Sequence, residues 1–143
     1  MKYPRHRSRW FKLPELVDPI IHQDLGERAW ELLEPDALRM LDGLREKFGR
    51  LVVNDWYAGG RFSESGLRRC DTTTGAKWSQ HKYGRAFDVK PKDATPQEMF
   101  VYVLDHQHEF PLLACVENVG KTITWLHVDT RNHSEQSIRV IEP

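Results

Sequence analysis

The order of periodic segments along the chain is the feature that most constrains its fold. Two helical patterns, residues 25–33 and 35–49, come first, and strand-like runs cluster later with one more helical pattern between them. A parallel α/β sheet would instead need strand and helix to alternate throughout. The order therefore predicts an α+β domain in which helices flank an antiparallel sheet. At 143 residues, a single core is the simplest expectation.

The helices are indicated by their end signals as well as by their apolar faces. Pro35 suits the first position of the second helix, and Gly49 suits its C-terminal stop. A third helix is predicted to start after Thr95, with Glu98 completing a capping box, and to run to residue 110.

Four runs of apolar or β-branched residues predict strands: 50–56, 85–90, 112–118 and 122–130. The last two are predicted to form a hairpin that turns at Gly120 and Lys121. Residues whose numbers sum to 241 would then face each other, so Glu117 would lie opposite Thr124. A turn one residue earlier would pair Glu117 with Thr122 instead. The tail after this hairpin either adds a last strand or lies loose.

Basic residues are concentrated at the N-terminus, but charges are balanced over the whole chain. Residues 1–14 form a predicted basic arm, with five Lys/Arg in the first twelve residues, ahead of a domain spanning 15–143. No apolar signal-peptide core follows the arm, so we expect a cytoplasmic protein that another agent must release. Lys plus Arg equals Asp plus Glu at 21 each, which gives no reason to expect nucleic acid or a membrane as partner.

Two cysteines do not make a disulfide framework. We expect Cys70 and Cys115 to be reduced, with Cys115 in a buried strand.

Candidate metal ligands lie at the end of a long non-periodic stretch, residues 57–80, of a kind that is often functional. His81, Asp88 and His127 supply two imidazoles and a carboxylate, the ligand types of a catalytic Zn²⁺ with one position left open. The same set would accept Mn²⁺, Co²⁺ or Ni²⁺. Taken singly, each residue has an ordinary alternative; a histidine on an apolar strand is more often a hydrogen-bonded core residue.

The segment "SQHKYGRAFD" resembles a known motif, Ser-x-His-x-x-Gly-x-Ala-x-Asp, of the M15 family of zinc peptidases. All five specified positions match: Ser79, His81, Gly84, Ala86 and Asp88. This family includes D-Ala-D-Ala carboxypeptidases and shares its fold with the Hedgehog signalling domain. "WLHVD" at 125–129 and "SGLR" at 65–68 are similar to two further family segments, so the resemblance covers roughly residues 50–131.

The resemblance implies a Hedgehog/DD-peptidase-like domain that hydrolyses peptide bonds in peptidoglycan stem peptides. His81, Asp88 and His127 would bind Zn²⁺, and Arg68 would hold a substrate carboxylate or the developing oxyanion. Ser79 would orient the site by hydrogen bonding. Trp125, with Trp78, would wall the substrate cleft, although core packing explains both tryptophans equally well.

One position departs from the family pattern. Many members carry Glu or Asp three residues before the last ligand histidine, as a general base, and this chain has Thr124 there. Glu117 is the candidate replacement from the hairpin argument; the alternative is a solvated strand end. Asp129 is a second base candidate, but we interpret it as a residue that orients a ligand.

Two functions follow as expectations. The first is a phage or prophage lysis enzyme, a monomer that cleaves a D,D-, L,D- or L-Ala-D-Glu bond once it reaches the cell wall. The second is a cell-wall recognition module or part of a phage particle that keeps the metal but has lost turnover, which Thr124 favours.

Overall fold

The computed structural model describes residues 6–143 and confirms the predicted α+β class. Its helices are α1 (Pro19–Leu25), α2 (Pro35–Phe48) and α3 (Pro96–Asp105). Its strands are β1 (Leu51–Val52), β2 (Ala86–Pro91), β3 (Cys115–Glu117), β4 (Leu126–Asp129) and β5 (Arg139–Ile141), in the spatial order β1-β2-β4-β3-β5. The sheet is mixed rather than wholly antiparallel, because the tail supplies β5 and this strand runs parallel to β3.

The second and third predicted helices are present. Thr95 Oγ1 accepts a hydrogen bond from the Glu98 amide at 3.1 Å, and Glu98 Oε2 accepts one from the Thr95 amide at 3.4 Å, which confirms the capping box. The third helix ends earlier than predicted, at Asp105, and a separate 3₁₀ turn, Gln107–Glu109, follows it.

The first helical region differs from the prediction of one helix over residues 25–33. The α-helix lies before this range, because Asp18 caps it through hydrogen bonds from the amides of Ile20 and Ile21. Gly26, with φ +54°, ends it, and a 3₁₀ helix, Gly26–Leu32, takes its place. The missed signal was the Asp-Pro pair at the helix start.

The sheet divides its residues between an apolar and a polar face by strict alternation. The apolar face is fully buried against the helices and consists of Phe87, Val89, Val116, Leu126 and Val128. The opposite face carries the polar residues of the same strands: Asp88, Lys90, Glu117, His127 and Asp129. This second face is where a site can form.

The predicted register of the β3–β4 pair is wrong. Cys115 faces Asp129 and Val116 faces Val128, so paired residue numbers sum to 244 rather than 241. Continuing this register by one step brings Glu117 opposite His127. Thr124 is exposed and lies outside the strand.

The register differs because residues 118–125 form a connection of successive turns instead of a two-residue turn. Asn118 starts it, since its Oδ1 accepts a hydrogen bond from the Gly120 amide at 3.0 Å. A second turn is closed by the Trp125 amide bonded to the Thr122 carbonyl at 3.2 Å. The segment contains β-branched residues with strand propensity, but the amides of Gly120 and Trp125 close turns rather than pair with a strand.

The described part of the predicted arm, residues 6–14, packs on the domain. Phe11 and Leu13 belong to the core. The buried Asp42 carboxylate accepts hydrogen bonds from Ser8 Oγ at 2.6 Å and from the Arg9 amide at 2.9 Å. Residues 1–5 lie outside the described residues.

Both cysteines are free, as predicted; Cys70 is exposed and Cys115 is buried. Burial, with the charge of Asp129 nearby, raises the pKa of the Cys115 thiol to about 12. Across residues 6–143, we find no helix long and apolar enough to cross a membrane.

Two glycine substitutions test this account of the backbone. Gly84 has φ +72°, and a Cβ there would overlap the Leu32 carbonyl oxygen, so Gly84→Ala should lower the free energy of unfolding by about 2 to 4 kcal/mol. Gly43, inside α2, has nothing within 4 Å of an added Cβ, so Gly43→Ala should raise it by about 0.5 to 1 kcal/mol. Chemical denaturation measures both; two changes of the same sign would contradict the account.

Candidate metal centre

His81 is held by a short 3₁₀ helix, Gln80–Tyr83, at the end of the long loop. Ser79 caps this helix, because its Oγ accepts a hydrogen bond from the His81 amide at 3.3 Å. The ring of His81 is fixed by a hydrogen bond from Nδ1 to the Gly66 carbonyl at 2.9 Å. Since a carbonyl can only accept, Nδ1 carries the proton, and Nε2 of the neutral ring presents a lone pair.

Asp88 and His127 face each other on the paired strands β2 and β4. His127 Nε2 donates to Asp129 Oδ2 at 2.8 Å, and this carboxylate is fully buried. The other ring nitrogen, Nδ1, therefore presents the lone pair of neutral His127. A buried carboxylate behind a ligand histidine is the usual arrangement around protein-bound metals.

Three atoms converge on one point: His81 Nε2, Asp88 Oδ1 and His127 Nδ1. His81 Nε2 lies 3.2 Å from Asp88 Oδ1 and 3.3 Å from His127 Nδ1. The third distance, between His127 Nδ1 and Asp88 Oδ1, is 3.0 Å. Ligands bound to Zn²⁺ at 2.0–2.1 Å in a tetrahedron lie about 3.3 Å apart, so the spacing fits such an ion.

The donor set also fits a cation chemically. With both rings neutral, His81, Asp88 and His127 place three acceptors together without a proton between them, and all three side chains are largely removed from water. Such an arrangement is stabilised by a positive charge at its centre, either a proton or a metal ion. These residues are therefore those that could hold the metal.

Without a metal, protons take this role. Burial alone would lower the pKa of His127, but hydrogen bonds to Asp129 and Asp88 and their charges outweigh burial and raise it to about 9. Burial alone would raise the pKa of Asp88, but the two imidazoles hold it far below its usual range. The centre thus stabilises positive charge and keeps its carboxylate ionised.

Arg68 lies directly beside the ligands and is largely buried. Its Nη2 donates to Asp88 Oδ2 at 3.3 Å, which leaves Oδ1 of that carboxylate for the metal. Its Nε donates to the Glu64 carbonyl. A Cβ at Gly75 would stand only 2.5 Å from Arg68 Nη1, so a glycine there makes room for the guanidinium.

Glu117 lies just beyond the three ligand atoms. Its Oε1 is 3.9 Å from His127 Nδ1, and its side chain is 20% exposed. This is too far for a direct bond to that nitrogen and close enough to contact a water molecule between them. Asp129 has no such access, because it is fully buried behind His127.

The three candidate ligands line a cleft of about 380 Å³. Trp78 and Trp125 both line it, and Trp78 is 69% exposed. Thr124 is not among its lining residues.

Two polar residues near the centre were not singled out from the sequence. Arg131 binds the Asp129 carboxylate through its guanidinium. Lys90 is buried behind Asp88 and donates to Val53 O, Ser65 Oγ and Asp88 O. Alternation along each strand could have indicated both, since each lies two residues beyond a residue of the polar face.

Comparison of the chain with protein-family models, curated proteins and solved structures finds no match in any of the three.

The raised pKa of His127 predicts that zinc binding releases a proton. Below about pH 9 the metal-free ring is protonated and must lose this proton to bind, so apparent affinity should rise about tenfold per pH unit between pH 6.5 and 8. Calorimetry at pH 7 in two buffers of different ionisation enthalpy should detect at least one proton released per zinc. Equal heats in the two buffers would contradict this electrostatic account.

Proposed function

We propose that the protein is a zinc-dependent peptidase that hydrolyses an amide bond in peptidoglycan stem peptides. The observation that carries the proposal is one row across three strands of the sheet: Asp88 on β2, His127 on β4 and Glu117 on β3. In this row, two ligands of a candidate metal centre lie beside a carboxylate that is not itself a ligand. An open metal position next to a carboxylate is the arrangement required for metal-assisted hydrolysis.

Zinc bound by His81, Asp88 and His127 would activate water and polarise the scissile carbonyl. Glu117, whose Oε1 lies 3.9 Å from His127 Nδ1, would accept a proton from the attacking water and pass it to the leaving amine nitrogen as the carbon–nitrogen bond breaks. A carboxylate can perform both transfers, whereas the Thr124 hydroxyl cannot serve as such a base. Glu117 would act from β3, the strand that pairs with the strand of His127.

Arg68 is placed to stabilise negative charge on the substrate. It is held on one side by Asp88 and on another by the Glu64 carbonyl, and it lines the cleft. Its fixed, planar guanidinium suits a substrate carboxylate or the oxyanion that develops on the scissile carbonyl. Being held before the substrate binds, it needs little reorganisation during the reaction.

The substrate class rests on the resemblance of the three motifs to M15 peptidases. An exposed tryptophan and two arginines in the cleft are compatible with a peptide that carries free carboxylates. The same resemblance supports a phage or prophage lysis enzyme that acts on the cell wall.

The base assignment is tested by Glu117→Gln, with Thr124→Ala as the control. Glutamine keeps the shape of the side chain but cannot take a proton, so turnover of defined muropeptides should fall at least about 10²-fold while one zinc per chain is retained. Thr124→Ala should leave both unchanged, because this residue is exposed and outside the cleft. Mass spectrometry of the fragments identifies the bond.

Wild-type protein that binds one zinc and cuts no stem peptide would refute the peptidase. The cell-wall recognition module would then be the better description. Full activity of Glu117→Gln would refute only the role of Glu117.

The role of Arg68 is tested by Arg68→Lys, with Arg69→Lys as the matched control. Lysine keeps the charge but cannot reproduce the planar fork, so kcat/KM should fall by about 10². Arg69 has a partly exposed side chain and, in the described part of the chain, only loose ion pairs at 3.7 and 3.8 Å, so its substitution should change kcat/KM less than twofold. Steady-state kinetics with zinc content measured in parallel would decide; equal losses in the two variants would count against the assignment.

A further inference from the structure

We propose that Arg131 is a positioning residue of the metal centre, acting on His127 through Asp129. Arg131 Nε lies 2.9 Å from Asp129 Oδ1 and 3.1 Å from Oδ2, and Nη2 lies 2.6 Å from Oδ2. The Arg131 backbone amide adds a hydrogen bond to Oδ1 at 3.1 Å. Both oxygens of the carboxylate are thus bound by one residue, which fixes the plane of the group.

The fixed carboxylate in turn determines which ring nitrogen of His127 is left to bind a metal. Asp129 Oδ2 accepts the Nε2 proton of His127 at 2.8 Å. This bond sets the tautomer and the ring rotation, so that Nδ1 points to His81 and Asp88. The result is a continuous chain of guanidinium, carboxylate and imidazole that ends at the metal.

Asp129 and His127 are buried, and this burial explains why the Asp129 carboxylate needs a cation beside it. The aspartate side chain is fully buried, and that of His127 is 5% exposed. A buried carboxylate with one imidazole as its sole side-chain partner would carry an incompletely compensated charge and could rotate. Arg131, whose side chain is 22% exposed, supplies the missing partner, and its side-chain hydrogen bonds within residues 6–143 all go to Asp129.

This inference rests on the metal centre of the proposed function but not on hydrolysis. Its test is therefore metal binding by the full chain, stripped of metal and titrated with Zn²⁺ against a competing chelator. Arg131→Met removes the fork while keeping much of the apolar length of the side chain. The zinc dissociation constant should rise about 10- to 100-fold, the range for loss of groups that orient a metal ligand.

A double-mutant cycle shows whether Arg131 affects zinc affinity through Asp129 or independently of it. In an Asp129→Asn background the carboxylate is already gone, so adding Arg131→Met should change the dissociation constant less than twofold. Arg139→Met is the matched control, because Arg139 is exposed and, among residues 6–143, its side chain makes only a 4.0 Å ion pair with Glu135. It should bind zinc as the wild type does.

Cobalt substitution gives a readout that a general loss of stability would not produce. The visible absorption of bound Co²⁺ reports ligand geometry, and it should shift in Arg131→Met at saturating metal but not in Arg139→Met. If Arg131→Met does not fold, as judged by circular dichroism, Arg131→Lys replaces it. Lysine keeps the charge without the fork and should raise the dissociation constant at least threefold.

Three results would overturn the inference. The first is wild-type affinity and cobalt spectrum in the Arg131 variant. The second is an Arg131→Met effect that is equally large with and without the Asp129 carboxylate. The third is a wild-type protein that binds no Zn²⁺, which would remove the centre itself. If the zinc dissociation constants agree with the expected double-mutant cycle but no stem peptide is cut, the role of Arg131 stands and only the proposed peptidase activity is refuted.

Discussion

The close approach of three acceptor atoms is the constraint on which the rest of this structure depends. When both rings are neutral, these acceptors repel each other, yet they are held 3.0 to 3.3 Å apart in a site mostly closed to water. Each side chain is held in place by a second partner: Gly66 O for His81, Arg68 for Asp88 and Asp129 for His127. Gly66 and Arg68 come from the long loop and Asp129 comes from β4, so both the loop and the sheet orient the candidate ligands.

The sheet contributes by register, because a shift of one residue in any strand would move its site residues to the core face. The buried Lys90 stabilises the surroundings of Asp88 on this polar face. Its ammonium donates to Val53 O just after β1, to Ser65 Oγ in the long loop and to Asp88 O in β2. Burial lowers the pKa of Lys90 to about 8, although the negative charges of Asp88 and Asp55 act to raise it. Keeping this ammonium buried therefore costs desolvation free energy.

The elements that could be predicted from the sequence are those with strong local signals. The Pro35 and Thr95 starts mark α2 and α3, and the His81 motif indicates two ligands that the structure brings together with His127. The β3–β4 register could not be obtained this way. Strand propensity in residues 122–124 competes with the turn that starts at Asn118, and propensity alone does not decide which of the two forms.

The observed register changes how the absence of a carboxylate at position 124 is interpreted. The predicted hairpin brought Glu117 to the metal only as a substitute for the residue at Thr124, whereas the observed pairing places it beside His127 directly. The carboxylate near the candidate metal centre is therefore that of Glu117 on β3, and it does not come from the segment that leads into His127 on β4. What hydrolysis requires is the position of a carboxylate relative to the metal and water, not its position in the sequence. Thr124 itself is exposed and does not line the cleft, so the carboxylate that the proposal assigns to this task is Glu117.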